Sequence, residues 1–168
     1  MDTESPLKDK VVLIVDDEPD VLETIAEELD LCLIHTAADY EKARQYLFSY
    51  TYDLVILDIM GVNGFELLKI AVAKNFPTVM LTAHALTPEA LEKSIKLGAV
   101  SFLPKEKISQ LREFLEAVVL SGGKPGWKRL FHKMGAYFNE RFGPDWKEKD
   151  RFFKEFVEAL KKEGEFDG

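Results

Sequence analysis

The sequence predicts an α/β protein built on a doubly wound, five-stranded parallel sheet. Five short apolar runs without polar alternation are interleaved along the chain with segments of helical periodicity. Strands of this kind are buried on both faces, as in a parallel sheet covered by helices on each side. Because right-handed crossovers bring the carboxyl ends of all such strands to one edge, we expect the residues after the strands to meet there.

The first part of the chain predicts three strands separated by two helices. Residues 10–15 predict the first strand, and Pro19 suits the first turn of the helix that follows. Residues 31–34 predict the second strand, and Asp39 is a candidate N-cap for the second helix. Residues 54–57 are apolar throughout, so we expect the third strand to be the buried centre of the sheet.

The next part of the chain repeats the alternation of helix and strand. Residues 65–70 carry helical periodicity, and residues 78–81 predict the fourth strand. A further helix opens at Pro88, after a threonine that can cap it, and closes at a glycine. Residues 100–103 predict the fifth strand, and residues 108–118 predict the last helix of this region.

Composition and charge exclude several classes of protein. The 168-residue chain has a net charge of −8, of which residues 1–120 contribute −10 and residues 121–168 contribute +2. An acidic body without a dense basic stripe is a poor nucleic-acid binder, so we expect no binding to DNA. No apolar run approaches the roughly 20 residues of a membrane span, and from the polar start we expect no signal peptide. The single Cys32 cannot form an internal disulfide, which fits a cytoplasmic protein.

Five polar side chains are expected at the shared edge of the sheet. An aspartate or a lysine at one strand end is usually a helix cap or a solvated charge. Five such residues at matching strand ends are a far more specific pattern. They are Asp16, Asp17, Asp58, Thr82 and Lys105.

These residue types indicate phosphoryl chemistry. Carboxylates crowded together repel one another, and Mg²⁺ prefers carboxylate oxygens combined with a substrate phosphate. An aspartate that acts as a nucleophile can accept a phosphoryl group as an acyl phosphate. The charge on the transferred group would then be met by the cation, by the Lys105 ammonium and by the Thr82 hydroxyl.

The sequence resembles the receiver domain of bacterial two-component response regulators over about residues 8–120. The resemblance implies the flavodoxin-like strand order 2-1-3-4-5. It also implies a protein that catalyses only its own phosphorylation and dephosphorylation and is otherwise no enzyme. The matching motifs are residues 11–17, 54–58, 64–68, 79–83 and 102–105.

The resemblance assigns a role to each residue at the edge. Asp58 would be the phospho-acceptor, charged by a histidine kinase or a phosphotransfer protein. Asp17 would bind Mg²⁺ directly and Asp16 would bind it through water, with Asp58 and the Met60 backbone carbonyl as further ligands. Lys105 matches the family's lysine at this position.

The resemblance further matches Thr82 and Phe102 to the family's pair of switch residues, a hydroxyl and an aromatic ring. Two departures from the family's pattern are visible. The loop after Met60 is about two residues short, and Lys105 is followed by Glu106 where the family usually has proline. His84 follows closely after Thr82, and it is either a solvated loop residue or a group that tunes access of the hydrolytic water.

The C-terminal part predicts a separate helical piece. We expect a receiver over residues 1–120, a turn-rich linker over 121–126 and an α-helical hairpin over 127–168. The hairpin is too short for a winged-helix output domain and has no basic recognition helix. Its two apolar stripes consist of Trp127, Leu130, Phe131, Met134, Tyr137, Phe138 and Phe142, and of Phe152, Phe153, Phe156 and Leu160.

Two helices alone leave part of such stripes in water, so we expect the hairpin to be covered. It would dock on its own receiver, near the last receiver helix, or form a homodimer, and the sequence leaves both open.

The sequence is compatible with three functions. The first is a response regulator that signals through changed protein contacts. The second is a pseudo-receiver in which the short loop has abolished phosphorylation. The third, a Mg²⁺-dependent phosphohydrolase with an aspartate nucleophile, is disfavoured because Asp16 and Asp17 are adjacent rather than spaced as Asp-x-Asp.

Overall fold

The computed structural model describes residues 5–83 and 86–162, and within these ranges the chain forms five strands, eight α-helices and one 3₁₀ turn. The strands are β1 (Val11–Val15), β2 (Leu33–Ala37), β3 (Leu54–Asp58), β4 (Thr78–Thr82) and β5 (Ser101–Pro104). The helices of the α/β region are α1 (Pro19–Glu28), α2 (Tyr40–Ser49), α3 (Gly64–Ala73), α4 (Pro88–Lys96) and α5 (Leu111–Leu120), and the 3₁₀ turn is Lys105–Gln110. The C-terminal helices are α6 (Trp127–Phe142), α7 (Trp146–Lys149) and α8 (Arg151–Lys162).

The strands form one parallel sheet in the order β2-β1-β3-β4-β5, which confirms the predicted fold class and strand order. All residues of β3 and β4 are buried, because helices cover both faces of these inner strands. Residue pairing brings Val15 beside Leu57 and Asp58 beside Leu81, so the carboxyl ends of neighbouring strands lie level with one another.

The second strand begins two residues later than predicted and extends to Ala37. The Cys32 N–H donates to the Leu29 carbonyl (2.9 Å), so the start of the apolar run closes the turn after α1. Leu33 is 56% exposed, because β2 is an edge strand. The apolar run of residues 31–34 therefore covers both the end of a turn and the start of a partly exposed strand. Hydrophobic periodicity alone cannot distinguish these two structures.

The predicted helix starts are confirmed by their caps. The Asp39 carboxylate accepts from the Lys42 N–H (2.8 Å) at the start of α2. The Thr87 hydroxyl accepts from the Ala90 N–H (3.1 Å) at the start of α4. Proline occupies the first position of α1 and α4, where its missing N–H costs no hydrogen bond.

The C-terminal helices pack in the same chain against β5 and the elements around it. The Gly126 N–H donates to the Val100 carbonyl (2.7 Å), and the rings of Phe102 and Phe138 lie 6.4 Å apart. Of the two arrangements left open by the sequence, the structure has the extension docked on its own α/β region. A homodimer stays a prediction.

The predicted two-helix hairpin contains an additional turn of helix, α7, between its long helices. Trp146, at the start of α7, is 5% exposed, and its ring centroid lies 4.8 Å from that of Phe153. Its indole N–H donates to the Asn139 side chain (2.9 Å). The sequence pattern missed Trp146 because it follows the Gly-Pro turn outside both apolar stripes.

The helices that the structure describes include none that is both long enough and apolar enough to cross a membrane.

The buried ring of Phe138 is expected to hold the extension on the sheet. Phe138 is 0% exposed and packs against rings from β5, α6 and α7. Phe138→Ala should therefore lower the free energy of unfolding by about 3–5 kcal/mol, measured by urea denaturation. Phe48→Ala, which removes a ring that is 53% exposed, is the matched control and should cost less than about 1 kcal/mol. Equal losses in the two variants would contradict this account.

Candidate functional site

The carboxyl edge of the sheet brings two predicted aspartates and the predicted lysine into contact. Asp16 directly follows β1, Asp58 is the last residue of β3, and Lys105 follows β5. Lys105 Nζ lies 2.8 Å from Asp16 Oδ2 and 3.3 Å from Asp58 Oδ1. Asp16 is 0% exposed and Asp58 is 4% exposed. The parallel topology has therefore assembled a buried group of charges from three distant parts of the sequence.

Burial dominates the electrostatics of the two aspartates. It raises the pKa of Asp58 from 3.8 to about 6, and the charge of Asp16 adds to this while Lys105 opposes it. Burial also raises the pKa of Asp16, against the hydrogen bonds from Lys105 and from the Glu18 N–H. Although burial acts to lower it, the pKa of Lys105 is raised, because Asp16, Glu18 and Asp58 all favour the ammonium.

Glu18 is a member of the site that the sequence analysis missed. Its carboxylate lies 3.0 Å from Lys105 Nζ, and oxygens of Asp16, Asp17 and Glu18 lie within 4.8 Å of one another. Glu18 occupies the N-cap position of α1 without making a side-chain capping bond. The available signal was a third acid directly after the aspartate pair, but its reach toward Lys105 depends on the fold.

Asp17 lies at the mouth of the site, against the loop that follows β3. An open pocket of about 220 Å³ is lined by Asp17, Glu18, Asp58, Met60, Gly61 and Lys105. Met60 thus borders the site, with a side chain that is itself 55% exposed. The role predicted for its carbonyl stays a prediction.

Two glycines allow the short loop after Met60 to close. Gly61 has φ +84°, and a Cβ there would lie 2.4 Å from Asp17 Oδ2, so the backbone and the carboxylate are in close approach. A Cβ at Gly64 would lie 2.0 Å from the Asp58 carbonyl oxygen. The Gly64 N–H donates to the Ile59 carbonyl (3.0 Å), which closes the loop directly beneath Asp58.

The two predicted switch residues are both buried. Thr82 is the last residue of β4 and is 1% exposed, and Phe102 in β5 is 0% exposed. Thr82 and Lys105 also line a second pocket, of about 240 Å³. His84 lies outside the described residues, so both interpretations of this histidine remain predictions.

The donor set at this edge fits a hard divalent cation. Carboxylate oxygens predominate, two of the carboxyls have raised pKa values, and an open pocket lies beside them. A single lysine offsets only part of the negative charge contributed by Asp16, Asp17, Glu18 and Asp58.

A doubly wound sheet that collects acids and one lysine at its carboxyl edge defines a receiver-type α/β domain. A family model described as "Response regulator receiver domain" matches residues 12–116. The chain belongs to this family, the receiver domains of two-component signalling.

Similar proteins include regulators from plants and bacteria. The chain is 37% identical over 100 residues to the two-component response regulator ARR18 of Arabidopsis thaliana, covering 56% of this chain and 16% of that protein. It is 37% identical over 113 residues to the heme response regulator HssR of Staphylococcus saprophyticus, covering 64% of this chain and 50% of that protein. The match therefore spans half or less of the length of these relatives.

Solved structures share the fold. A CheY-like receiver domain protein from Methanospirillum hungatei has a TM-score of 0.64 at 23% identity, covering 71% of this chain and all (100%) of that one. The chemotaxis protein CheY4 of Vibrio cholerae has a TM-score of 0.59 at 28% identity, covering 66% of this chain and 98% of that one.

Asp58→Asn is expected to stabilise the metal-free protein at neutral pH. Because the pKa of Asp58 is raised from 3.8 to about 6, the folded state holds this proton more tightly than the unfolded chain. The cost of ionising the buried carboxyl is therefore absent below about pH 4 and complete above about pH 6, where it reaches about 3 kcal/mol. The amide avoids this cost, so the gain should appear as the pH rises through that interval.

Urea denaturation in the presence of a chelator, at pH values from 4 to 8, measures this gain. Asp30→Asn makes the same chemical change at a side chain that is 70% exposed, and its stability should follow that of the unmodified protein. If Asp58→Asn is no more stable at neutral pH than the unmodified protein, then ionising the Asp58 carboxyl does not destabilise the folded state.

Proposed function

We propose that this receiver accepts a phosphoryl group on Asp58 from a histidine kinase or phosphotransfer protein, and that it does so in the cytoplasm with the help of Mg²⁺. The observation that carries the proposal is the buried contact between Asp58 and Lys105, 3.3 Å apart, beside a pocket edged by further carboxylates. A carboxylate and an ammonium at the end of a parallel strand form a site that can receive a phosphoryl group and neutralise its charge.

The step requires a nucleophile and a place for the transferred charge. A carboxylate oxygen of Asp58 forms the new bond to phosphorus while the bond from phosphorus to the donor atom breaks, and the donor leaves with that electron pair. Lys105 turns from its carboxylate partners toward the phosphoryl oxygens, and the Thr82 hydroxyl donates to them.

Asp16, Asp17, Asp58 and the Met60 carbonyl would hold Mg²⁺, with Glu18 as an additional oxygen donor at the rim. When bound, the ion supplies positive charge to the phosphoryl oxygens and relieves repulsion among the carboxylates.

The output we propose is a change in protein contacts rather than binding to DNA. Residues 121–168 have a net charge of only +2, and the buried Phe138 of the extension packs on Phe102 of β5. A pseudo-receiver is the second candidate, because the loop after Met60 is short and closes tightly beneath Asp58.

Incubation with acetyl phosphate and Mg²⁺, followed by intact-mass measurement, tests the proposal. We expect one phosphoryl adduct on the unmodified chain and on Asp30→Asn, and none on Asp58→Asn. Steady release of phosphate without an adduct would indicate a phosphohydrolase, and absence of both would indicate a pseudo-receiver. Full labelling of Asp58→Asn would show that another residue is the acceptor.

Glu18→Gln is expected to accelerate labelling. Glu18 holds Lys105 at 3.0 Å and adds negative charge at the mouth through which an anionic donor must enter. Its side chain is 53% exposed, so solvent screens the effect and we expect an increase of about two- to five-fold in the rate of adduct formation at saturating Mg²⁺. Glu23→Gln, at an exposed position of α1, is the control. Slower labelling of Glu18→Gln would mean that Glu18 assists the reaction.

A further inference from the structure

The turn that begins with Lys105 is also in contact with the C-terminal extension. Within the 3₁₀ turn Lys105–Gln110, Glu106 Oε1 lies 3.1 Å from Nη1 of Arg141 in α6. Lys107 Nζ lies 5.1 Å from the ring centroid of Tyr137, also in α6. One short turn therefore joins the charge cluster to the extension.

The extension contacts elements on both sides of that turn. Phe138 packs on Phe102 of β5, and Lys133 of α6 forms an ion pair with Glu113 of α5. Lys96 of α4 lies 5.0 Å from the ring centroid of Phe152 in α8. The surface formed by α4, β5, the 3₁₀ turn and α5, which we call the docking face, is thus occupied by the chain's own C-terminal helices.

The second pocket extends from the phosphoryl site to this interface. Its lining includes Thr82 and Lys105 from the site, Glu106 from the turn and Arg141 from the extension. A side chain of the extension thus borders the same space as the Thr82 hydroxyl and the Lys105 stem.

We propose that the extension is an intramolecular partner of the docking face and that its docking opposes phosphorylation of Asp58. The inference rests on the proposed function of Asp58. Phosphorylation would weaken the contacts of α6 with the docking face, and loss of those contacts would favour phosphorylation.

The reason why docking of the extension would oppose phosphorylation lies in the position of Lys105. Its ammonium is now divided among Asp16, Glu18 and Asp58, and it must turn toward the new phosphoryl oxygens. The turn that carries Lys105 is held at Glu106 by Arg141, and the preceding strand is held at Phe102 by Phe138. Movement of the lysine and of its turn therefore disturbs the docked helix.

Such coupling is reciprocal, because two events that share one conformational equilibrium affect each other equally. If phosphorylation loosens the extension by a given factor, loosening the extension must favour the phosphorylated state by the same factor. This reciprocity allows the proposal to be tested from either side.

The test from the extension uses a matched pair of arginine variants of the full chain. Arg141→Gln removes the contact with Glu106, whereas Arg151→Gln removes a pair with Glu155 inside α8 at a side chain that is 93% exposed. With acetyl phosphate and Mg²⁺, Arg141→Gln should reach a higher steady-state fraction of adduct than the unmodified chain, and Arg151→Gln should not.

A second variant acts on the apolar contact, because an exposed ion pair contributes little. Phe138→Leu keeps a large apolar side chain on α6 while loosening the packing on Phe102. It should shift the steady-state ratio of phosphorylated to unphosphorylated chain upward, and by more than Arg141→Gln does. If neither variant raises that ratio, or if either lowers it, docking does not oppose phosphorylation.

The test from the phosphoryl site is amide hydrogen exchange of the unmodified chain. We expect faster exchange in α6 once the chain is phosphorylated, and no such change in Asp58→Asn under the same conditions. Equal or slower exchange in α6 would overturn the inference. Labelling at Asp58 combined with unchanged exchange would leave the proposed function intact, whereas a chain that is not labelled at all would overturn both.

Discussion

The structure depends on one lysine placed among buried carboxylates. Asp16 directly follows β1 and Asp58 ends the neighbouring strand β3, so their charges are brought close together by the same backbone pairing that forms the core. A buried charge without a partner is strongly destabilising, and Lys105 compensates part of that cost from the turn after β5, which lies on the other side of β4. The negative charge that remains makes the edge receptive to a divalent cation.

The sequence predicted the buried inner strands of the sheet, but it did not predict the bounds of the edge strand β2 or the existence of the short helix α7. The strands β3 and β4 are buried along their whole length, so unbroken apolar runs identified them. The edge strand β2 carries Leu33 largely in solvent, and the neighbouring apolar residues belong to a turn. The helix α7 is one turn long and follows a Gly-Pro turn, so it is too short to show helical periodicity in the sequence.

The same distinction applies to the site: the topology predicted some of its residues, whereas others depend on the directions of individual side chains. The sequence predicted that Asp16, Asp58 and Lys105 lie at one edge of the sheet, because the ends of the strands alone determine their positions. The contact of Glu18 with Lys105 and the close approach of Gly61 to Asp17 depend on side-chain direction and on the path of a loop, which the sequence does not state. The roles of Met60, Thr82 and Phe102 remain predictions.

The extension covers part of the surface of the α/β region, and its contacts there are of two types. Ion pairs such as that of Arg141 with Glu106 lie in solvent, where each contributes little and salt weakens it. The packing of Phe138 on Phe102 is fully buried, so we expect it to contribute more to docking than the exposed ion pairs do. Phe102 and Lys105 lie three residues apart on one strand and its turn. In the coupling that we propose, a shift of the lysine would therefore be transmitted mainly as a change of packing, because close-packed interfaces respond to such shifts by changing state rather than by deforming gradually.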